Sequence, residues 1–350
     1  MDGIAVLDVE PAIGTEWRLV GDAPAASGVV DPLRSGEAIR IATGAVVPEG
    51  CARVLPQEIL EISRDRACLK LEAGAARFIR RAGADFTAGD VLLERGVRVG
   101  PGALGLIAAA NLATAEVVRE PRIGICAVGD ELVTPGSRLR EGQSVDSASH
   151  SLAALVRSWG GVPLVHPILP DGIEAITAGL RNALKTCDIL ICIGGASVGR
   201  RDLMRPSAAA LGAQFLFEGI SVQPGKPCWH ARLDSGGLIL GLPGNPSSAF
   251  VCAHLLLKPL IDKLMSRPAD LTFLQARSKT PLPANGEREQ YLRAKASHDE
   301  EGCLWAERIA DQDSGLQANL ARAQLLVRRL PGAEALDSGA QVEVLELTSD

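Results

Sequence analysis

Between residues 121 and 267 the chain alternates short apolar runs with stretches in which apolar positions recur every three or four residues. The runs at 122–128, 162–168, 188–193 and 214–220 read as strands, with shorter ones at 229–233 and 238–240. Between them, Leu152, Leu155, Val156 and Trp159 follow the spacing of one helical face, and Ile173, Ile176, Leu180 and Leu184 mark another. A long helix follows Pro246, with Phe250, Val251, Leu255 and Leu256 on its apolar side. Strand–helix alternation of this kind predicts right-handed βαβ units and a parallel sheet covered on both faces. Upstream the texture differs. The first hundred residues are dense in glycine and proline and carry short runs at 38–41 and 53–55, and the turn Ala88-Gly89-Asp90 reads as feeding a strand at 91–93. A short helix is predicted over 102–110. After about residue 268 the pattern reverts to β and ends in the alternation 341–347, which fits a half-exposed strand of a small barrel. The reading is a multidomain α/β protein. A mainly-β domain spans 1–90, a linking segment 91–120, a parallel-sheet ligand-binding domain 121–267 and a C-terminal β-barrel 268–350.

Two glycine-rich loops leave the predicted strands of the α/β part, Gly194-Gly195-Ala196-Ser197-Val198-Gly199-Arg200-Arg201-Asp202 and Gly241-Leu242-Pro243-Gly244-Asn245-Pro246-Ser247-Ser248. Both fall at the carboxyl edge of a parallel sheet, where open α/β proteins bind ligands. Glycine lets main chain approach a ligand closely, and a following helix start offers N–H groups to an anion. A third loop, Gln223-Pro224-Gly225-Lys226-Pro227, adds a cation whose backbone is stiffened by flanking prolines. The three together point to a phosphorylated small molecule.

Composition narrows the classes. A chain of 350 residues exceeds the size at which a single core stops growing, so two or more domains are expected. Apolar residues make up 47% and aromatics 3%, which suits cores of Leu, Val, Ile and Ala and disfavours stacking platforms for single-stranded nucleic acid. A net charge of −6 argues against a sequence-independent hold on a phosphate backbone. The eight cysteines show no C-x-x-C pair and sit mostly in apolar runs, which reads as buried reduced thiols rather than a disulfide framework or zinc site. No basic-then-apolar leader opens the chain, and the apolar stretch 103–118 is interrupted by Gly105, Asn111 and Thr114. No membrane span and a cytoplasmic location are expected. No G-x-G-x-x-G opens a βαβ unit, so a nicotinamide dehydrogenase is set aside.

Seven motifs then occur in order: Met1-Asp2-Gly3-Ile4-Ala5-Val6, residues 36–45 around Thr43-Gly44, Arg80-Arg81-Ala82-Gly83-Ala84-Asp85-Phe86, Gly129-Asp130-Glu131-Leu132, the Gly194 loop, Pro224-Gly225-Lys226-Pro227, and the Gly241 loop. The set resembles the molybdopterin molybdenumtransferase family, the molybdenum insertases that include the gephyrin E domain. The resemblance implies an elongated four-domain subunit, a homodimer whose active site draws on both subunits, and magnesium-dependent transfer of molybdate to adenylylated molybdopterin with release of AMP. It also implies a transfer complex with the adenylyltransferase or with a molybdoenzyme.

Site residues carry over position by position. Asp202 and Glu131 are implied as Mg2+ ligands, which accords with the one or two carboxylates that magnesium takes beside water and substrate phosphate; by sequence alone Asp202 reads first as an N-cap. Lys226 and Pro227 are implied beside molybdate with Ser248, which by itself could cap the following helix. Gly194, Gly195, Ser197, Gly199, Gly244 and Asn245 are implied around the pterin phosphate. Asp171 heads the capping-box pattern Asp171-Gly172-Ile173-Glu174 and also matches a functional acid of the family near the nucleotide. Asp2 and Asp85 match acids that the family presents toward the partner subunit's pocket, although loop aspartates also serve as plain turn formers, and Thr43 matches a family polar position.

Several positions depart from the family pattern. Ile4 replaces an aromatic, Gln223 a frequent lysine, Arg200 and Arg201 an acid and a small or aromatic residue, and Gln317-Ala318-Asn319-Leu320 a serine-bearing segment. A lost lysine removes charge beside an anionic ligand, which the arginines could restore from another direction. Met1 coincides with the methionine inside the family's first motif, so a leader of roughly fifty residues, several helical turns, is expected to be missing. Two other readings stand beside the insertase: a silent molybdopterin-binding scaffold or chaperone, and the adenylyltransferase that consumes ATP.

Overall fold

The computed structural model describes residues 2–26, 28, 31–194 and 203–347. These form two compact units, Met1–Leu92 and Leu93–Asp350. The first unit holds six strands: β1 (Gly3–Val6), β2 (Glu16–Ala23), β3 (Glu37–Ile41), β4 (Arg53–Pro56), β5 (Leu60–Ile62) and β6 (Arg66–Leu69), in the order β4-β1-β3-β2-β6-β5. Central β1 is buried on both faces, Ile4 and Val6 packing with Trp17 and Leu55 while Ala5 faces Ile39 and Val54. That is why its sequence is continuously apolar rather than alternating. Arg53, 3% exposed, donates to the carbonyls of Val9, Ala73, Gly74 and Ala76 and so ties the loops at that end of the sheet. The strand expected at 91–93 is not formed. Val91 is 75% exposed, so apolar character alone found no sheet to join.

The second unit opens with α1 (Pro101–Ala109), an apolar helix none of whose residues is buried. Then come β7 (Arg122–Ala127), the short strands β8 (Leu132–Val133) and β9 (Ser144–Val145), α2 (Ala148–Ser158), β10 (Val162–Val165), α3 (Ile173–Ala183), β11 (Ile189–Ile193), α4 (Met204–Ala209), β12 (Gln214–Phe217), β13 (Val222–Gln223), β14 (Trp229–Arg232) and β15 (Leu238–Leu242). The main sheet has the order β10-β7-β11-β15-β14-β12. Strands β10, β7, β11 and β15 are parallel, but β14 runs antiparallel to both neighbours, so the sheet is mixed rather than wholly parallel. Trp229, His230 and Ala231 of β14 are buried like the strand β15 beside them, and a buried run carries no sign of direction.

Alternate residues of the sheet serve two cores. Ile123, Ile125, Ile189, Ile191 and Leu240 pack against α2 and the helix after Pro246, where the predicted stripe Leu152, Leu155, Val156 and Trp159 is at most 5% exposed. On the other face Cys126, Leu190, Cys192 and Ile239 meet α3 and α4 through Ile176, Leu180 and Met204. Each fully buried Leu or Ile contributes about 1.5–3 kcal/mol over leaving it exposed. All eight cysteines are free. No helix among the described residues is long and apolar enough to cross a membrane.

The helix after Pro246 runs as α5 (Pro246–Cys252), a π-helical turn over Ala253–Leu257, and α6 (Lys258–Leu264). The π turn sits just before Pro259, whose missing N–H interrupts the regular ladder. Within it His254 is 2% exposed, edge-on to Trp159, and donates from Nδ1 to the Phe250 carbonyl at 2.9 Å. Burial lowers its pKa from 6.5 to about 4. The unfolded chain therefore binds a proton between these values that the folded chain refuses, and stability falls as pH drops from 6.5 toward 4. Denaturant unfolding at pH 7 and 4.5 should show a loss larger by about 2 to 3 kcal/mol for the wild type than for His254→Phe. Equal losses would place the acid sensitivity elsewhere.

Five strands close the C-terminal barrel: β16 (Leu274–Ser278), β17 (Glu289–His298), β18 (Leu304–Arg308), β19 (Leu325–Arg329) and β20 (Gln341–Glu346), with α7 (Gln317–Leu320) between β18 and β19. The circuit β17-β18-β16-β20-β19 returns to β17, where residues from Gln290 to Ala294 face Arg329 to Leu325. Strand β13 leaves the α/β domain and pairs with β17, Val222 opposite Glu289 and Gln223 opposite Gln290.

Candidate active site

From β7 the chain crosses to β10 on one side and then returns past β7 to β11 on the other. The connections diverge between β7 and β11, the place where open α/β sheets leave a crevice beyond their carboxyl ends. A cavity of about 840 Å³ occupies this edge. Val128 and Glu131 reach it from the loop after β7, Ile193 and Gly194 from the end of β11, and Pro243, Gly244 and Asn245 from the loop after β15. Lys226 and Pro227 line it from the third loop.

Two glycines shape these loops, Gly129 through its backbone conformation and Gly244 through close packing. At Gly129, with φ +154°, an added Cβ would lie 2.5 Å from the Glu131 Oε2, so the carboxylate folds back over a residue that has no side chain. At Gly244 a Cβ would lie 3.3 Å from the Gly194 Cα, so the two ligand loops touch glycine to glycine. The Glu131 loop is held by the Leu132 N–H to the Gly129 carbonyl at 3.1 Å and by the Ser144 N–H to the Glu131 carbonyl at 2.8 Å. The Lys226 loop is held by the Cys228 N–H to the Gly225 carbonyl at 2.9 Å and the Ile220 N–H to the Lys226 carbonyl at 3.2 Å. Beneath it the Cys252 thiol donates to the Pro224 carbonyl at 3.6 Å. Lys226 itself is exposed and has no ion-pair partner among the described residues.

The structure adds Asp146 and Gly315, which the sequence reading did not single out, and brings in Gln317 from the segment that departs from the family pattern. The parallel pair β8–β9 carries the chain from Glu131 to Asp146, which lines the cavity although only 8% exposed. Its Oδ1 accepts the Ser149 N–H at 3.0 Å and so caps α2. An aspartate just ahead of an amphipathic helix is a start signal legible in sequence. The barrel supplies Gly315 and Gln317 to the lining. Gln317 Nε2 donates to Ser147 Oγ at 2.8 Å, Asn245 Nδ2 to Ser314 Oγ at 2.7 Å, and the Ser247 N–H to the Ser314 carbonyl at 3.2 Å. Asn319 turns elsewhere, donating to the Asp311 carbonyl at 3.1 Å.

Glu131, Lys226, Pro227, Gly194, Gly244 and Asn245 are thus brought together. Ser248 is not part of the lining; it is 5% exposed in the first turn of α5. Asp171 is exposed and also stands outside the lining. The capping box expected from it is not formed, because Gly172 holds the N-cap with no side-chain bond, and the Asp171 N–H instead donates to Asp130 Oδ1 at 3.1 Å. Asp2, Thr43 and Asp85 belong to the first unit. There Asp2 Oδ1 accepts from the Thr43 N–H at 2.8 Å and from its hydroxyl at 3.0 Å, which holds the Asp2 carboxyl below its usual pKa. Gly195, Ser197, Gly199, Arg200, Arg201 and Asp202 lie outside the described residues.

No group of three or more His, Cys, Asp or Glu suited to a metal ion occurs among the described residues. The cavity offers two carboxylates, Glu131 and Asp146, and a hard cation that takes most of its ligands from substrate phosphate and water fits that donor set.

Three family models match in succession: the MoeA N-terminal region (domain I and II) over residues 1–111, a probable molybdopterin binding domain over 124–263, and the MoeA C-terminal region (domain IV) over 275–347. A molybdopterin molybdenumtransferase of a Nostoc species is 32% identical over 359 residues, covering 99% of this chain and 82% of the relative. The Bacillus subtilis protein of the same name is 32% identical over 314 residues, covering 88% and 73%. Among solved structures, a molybdopterin biosynthesis MoeA protein from Pyrococcus horikosii superposes with a TM-score of 0.84 at 27% identity, over 100% of this chain and 87% of that one.

Proposed function

From its membership of the molybdopterin molybdenumtransferase family, to which this chain belongs, we propose that it inserts molybdate into adenylylated molybdopterin with release of AMP. Its place in molybdenum cofactor biosynthesis, as a transferase acting on a pterin, comes with the family. The observation that carries the finer reading is the single cavity in which Glu131, Lys226 and the two glycine loops meet.

In this reading the touching Gly194 and Gly244 loops let the pterin's phosphate lie against main chain, where bulkier residues would hold it off. Lys226 places a compact charge with three donors against the oxygens of molybdate or of the phosphoanhydride. Glu131 and Asp146, with Asp202, would hold Mg2+, which neutralises the pyrophosphate when bound. Two anions that repel each other in water are kept side by side; the two dithiolene sulfurs displace two molybdate oxygens, which leave as water with the thiol protons, and water cleaves the phosphoanhydride to release AMP. Asp146 has a further duty, since its bond to Ser149 fixes α2 beneath the site.

The exposed apolar helix α1, with Leu104 60% exposed, supports a homodimer in which a second copy covers it. Asp2, Thr43 and Asp85 are then offered to the partner's cavity, and the product passes on in a complex with a molybdoenzyme or with the adenylyltransferase. Free thiols throughout support a reducing, cytoplasmic setting.

The test is incubation of purified protein with adenylylated molybdopterin, molybdate and magnesium. AMP should appear in step with molybdate consumed, and chelation of magnesium should stop it. Pterin binding without AMP would leave a scaffold. Formation of adenylylated product from ATP would make it the adenylyltransferase.

A further inference from the structure

Two thiols meet beneath the lysine loop. Cys228 ends the loop two residues after Lys226, and Cys252 closes α5. Both are fully buried and belong to one core. Gly225 rests on the pair at φ +136°: a Cβ there would lie 2.7 Å from the Cys252 Sγ and 3.9 Å from the Cys228 Sγ, so the two sulfurs flank a single point of the loop. The Cys252 thiol donates to the Pro224 carbonyl at 3.6 Å. Contact with the Cys228 thiol, and then burial, push the Cys252 thiol well above its ordinary pKa. The main chain from Pro224 to Cys228 covers the sulfurs on this side. It is also the wall between two cavities, since Lys226 and Pro227 line both the one above and a second of about 660 Å³ that extends to Arg288 of the barrel. Open space on either side leaves this cover room to lift. Cys126 and Cys192 are neighbours too, opposite each other across β7 and β11, but α3 and α4 pack over them.

We infer that Cys228 and Cys252 form a redox switch under the lysine: a hydroperoxide joins them in a disulfide that moves Lys226 out of register and slows the transfer, and a thiol reductant releases it. When the loop lifts, one thiol loses its proton and attacks a peroxide oxygen; the O–O bond breaks, a sulfenic acid forms and the other oxygen leaves as water. The second thiol displaces the sulfenic hydroxyl as a second water and the S–S bond closes. The pair thus gives two electrons and two protons to one hydrogen peroxide. An S–S bond of about 2.05 Å is far shorter than the contact of two thiols, so the end of the loop is drawn toward α5. The Pro224 carbonyl loses the thiol proton that held it. With the loop closed neither sulfur is exposed, so oxidation waits on its opening. In a reducing compartment a disulfide of this kind is transient and redox-sensing. That the switch slows molybdate transfer rests on the reaction proposed above; the disulfide rests on the two sulfurs and their cover.

The experiment treats the full chain with hydrogen peroxide, locates disulfides by peptide mass mapping, and measures AMP release before and after. A bridge between Cys228 and Cys252 should form while Cys126 and Cys192 stay reduced. AMP release should fall about a hundredfold, the cost of a misplacement on the order of 1 Å at a reacting group, and return with dithiothreitol. Hydrogen exchange at the Cys228 amide, bonded to the Gly225 carbonyl in the reduced chain, should quicken when the bridge forms. Cys228→Ala should keep the resting rate, because that residue holds the loop through its backbone N–H, and should lose the response to peroxide. Cys228→Ser repeats the comparison with a side chain nearer in volume. Activity lost while both thiols remain reduced overturns the inference, as does an equal loss in both variants. A bridge that alters neither the exchange nor the rate overturns the switch. Reversible bridging with quickened exchange in a wild type that releases no AMP removes the reaction and leaves the dithiol standing. AMP release that peroxide leaves untouched, with no bridge formed, does the reverse.

Discussion

Replacing Lys226 by alanine is expected to lower AMP release by roughly 100- to 1,000-fold, the loss seen when one preorganised donor to a developing anion is removed. The side chain stands in the wall of both cavities and has no carboxylate partner among the described residues, so the substitution frees no buried charge. Its loop is fixed by backbone bonds at Gly225 and Ile220 and by the Cys252 thiol beneath, none of which the side chain makes. The unfolding midpoint should therefore move by no more than about 2 °C. Lys226→Arg should recover part of the rate, because the charge survives but the compact ammonium does not. AMP quantified by chromatography under saturating molybdate checks this. A rate within threefold of the wild type would put the transferring anion elsewhere.

The second large effect is expected at Glu131. Changing it to glutamine keeps the volume over Gly129 and removes one negative charge from the cavity. The Mg2+ concentration for half-maximal AMP release should rise by about ten- to a hundredfold, with the rate at saturating metal less affected. Asp146→Asn provides the comparison. It weakens the metal too, but it also weakens the cap on α2, so its thermal midpoint should fall while that of Glu131→Gln holds. A magnesium dependence unchanged in Glu131→Gln would remove this carboxylate from the metal.

Much of the α/β domain could be read from residue spacing. The strands β7, β11 and β15 and the stripe from Leu152 to Trp159 announce themselves because local period and burial coincide. The direction of β14 could not be read, since pairing sense depends on how the chain returns, which a buried run does not record. At 91–93 local pattern without a neighbouring strand gave an element that does not form. The site divides in the same way. Loops rich in glycine and proline flagged Lys226, Gly194 and Gly244 because unusual backbone leaves a compositional trace. Gln317, Gly315 and Arg288 left none. They are ordinary polar or small residues, brought in only through the closed barrel, Arg288 to Gln223 from 65 positions away and Gln317 to Ser147 from 170.

The pairing of β13 with β17 makes the barrel a mechanical anchor for the lysine. Two residues of main chain separate Gln223, stitched to the barrel's longest strand, from the ammonium at position 226. Any swivel of the terminal domain must drag that cation with it, so the ligand-binding module cannot be cut free and keep its charge in register.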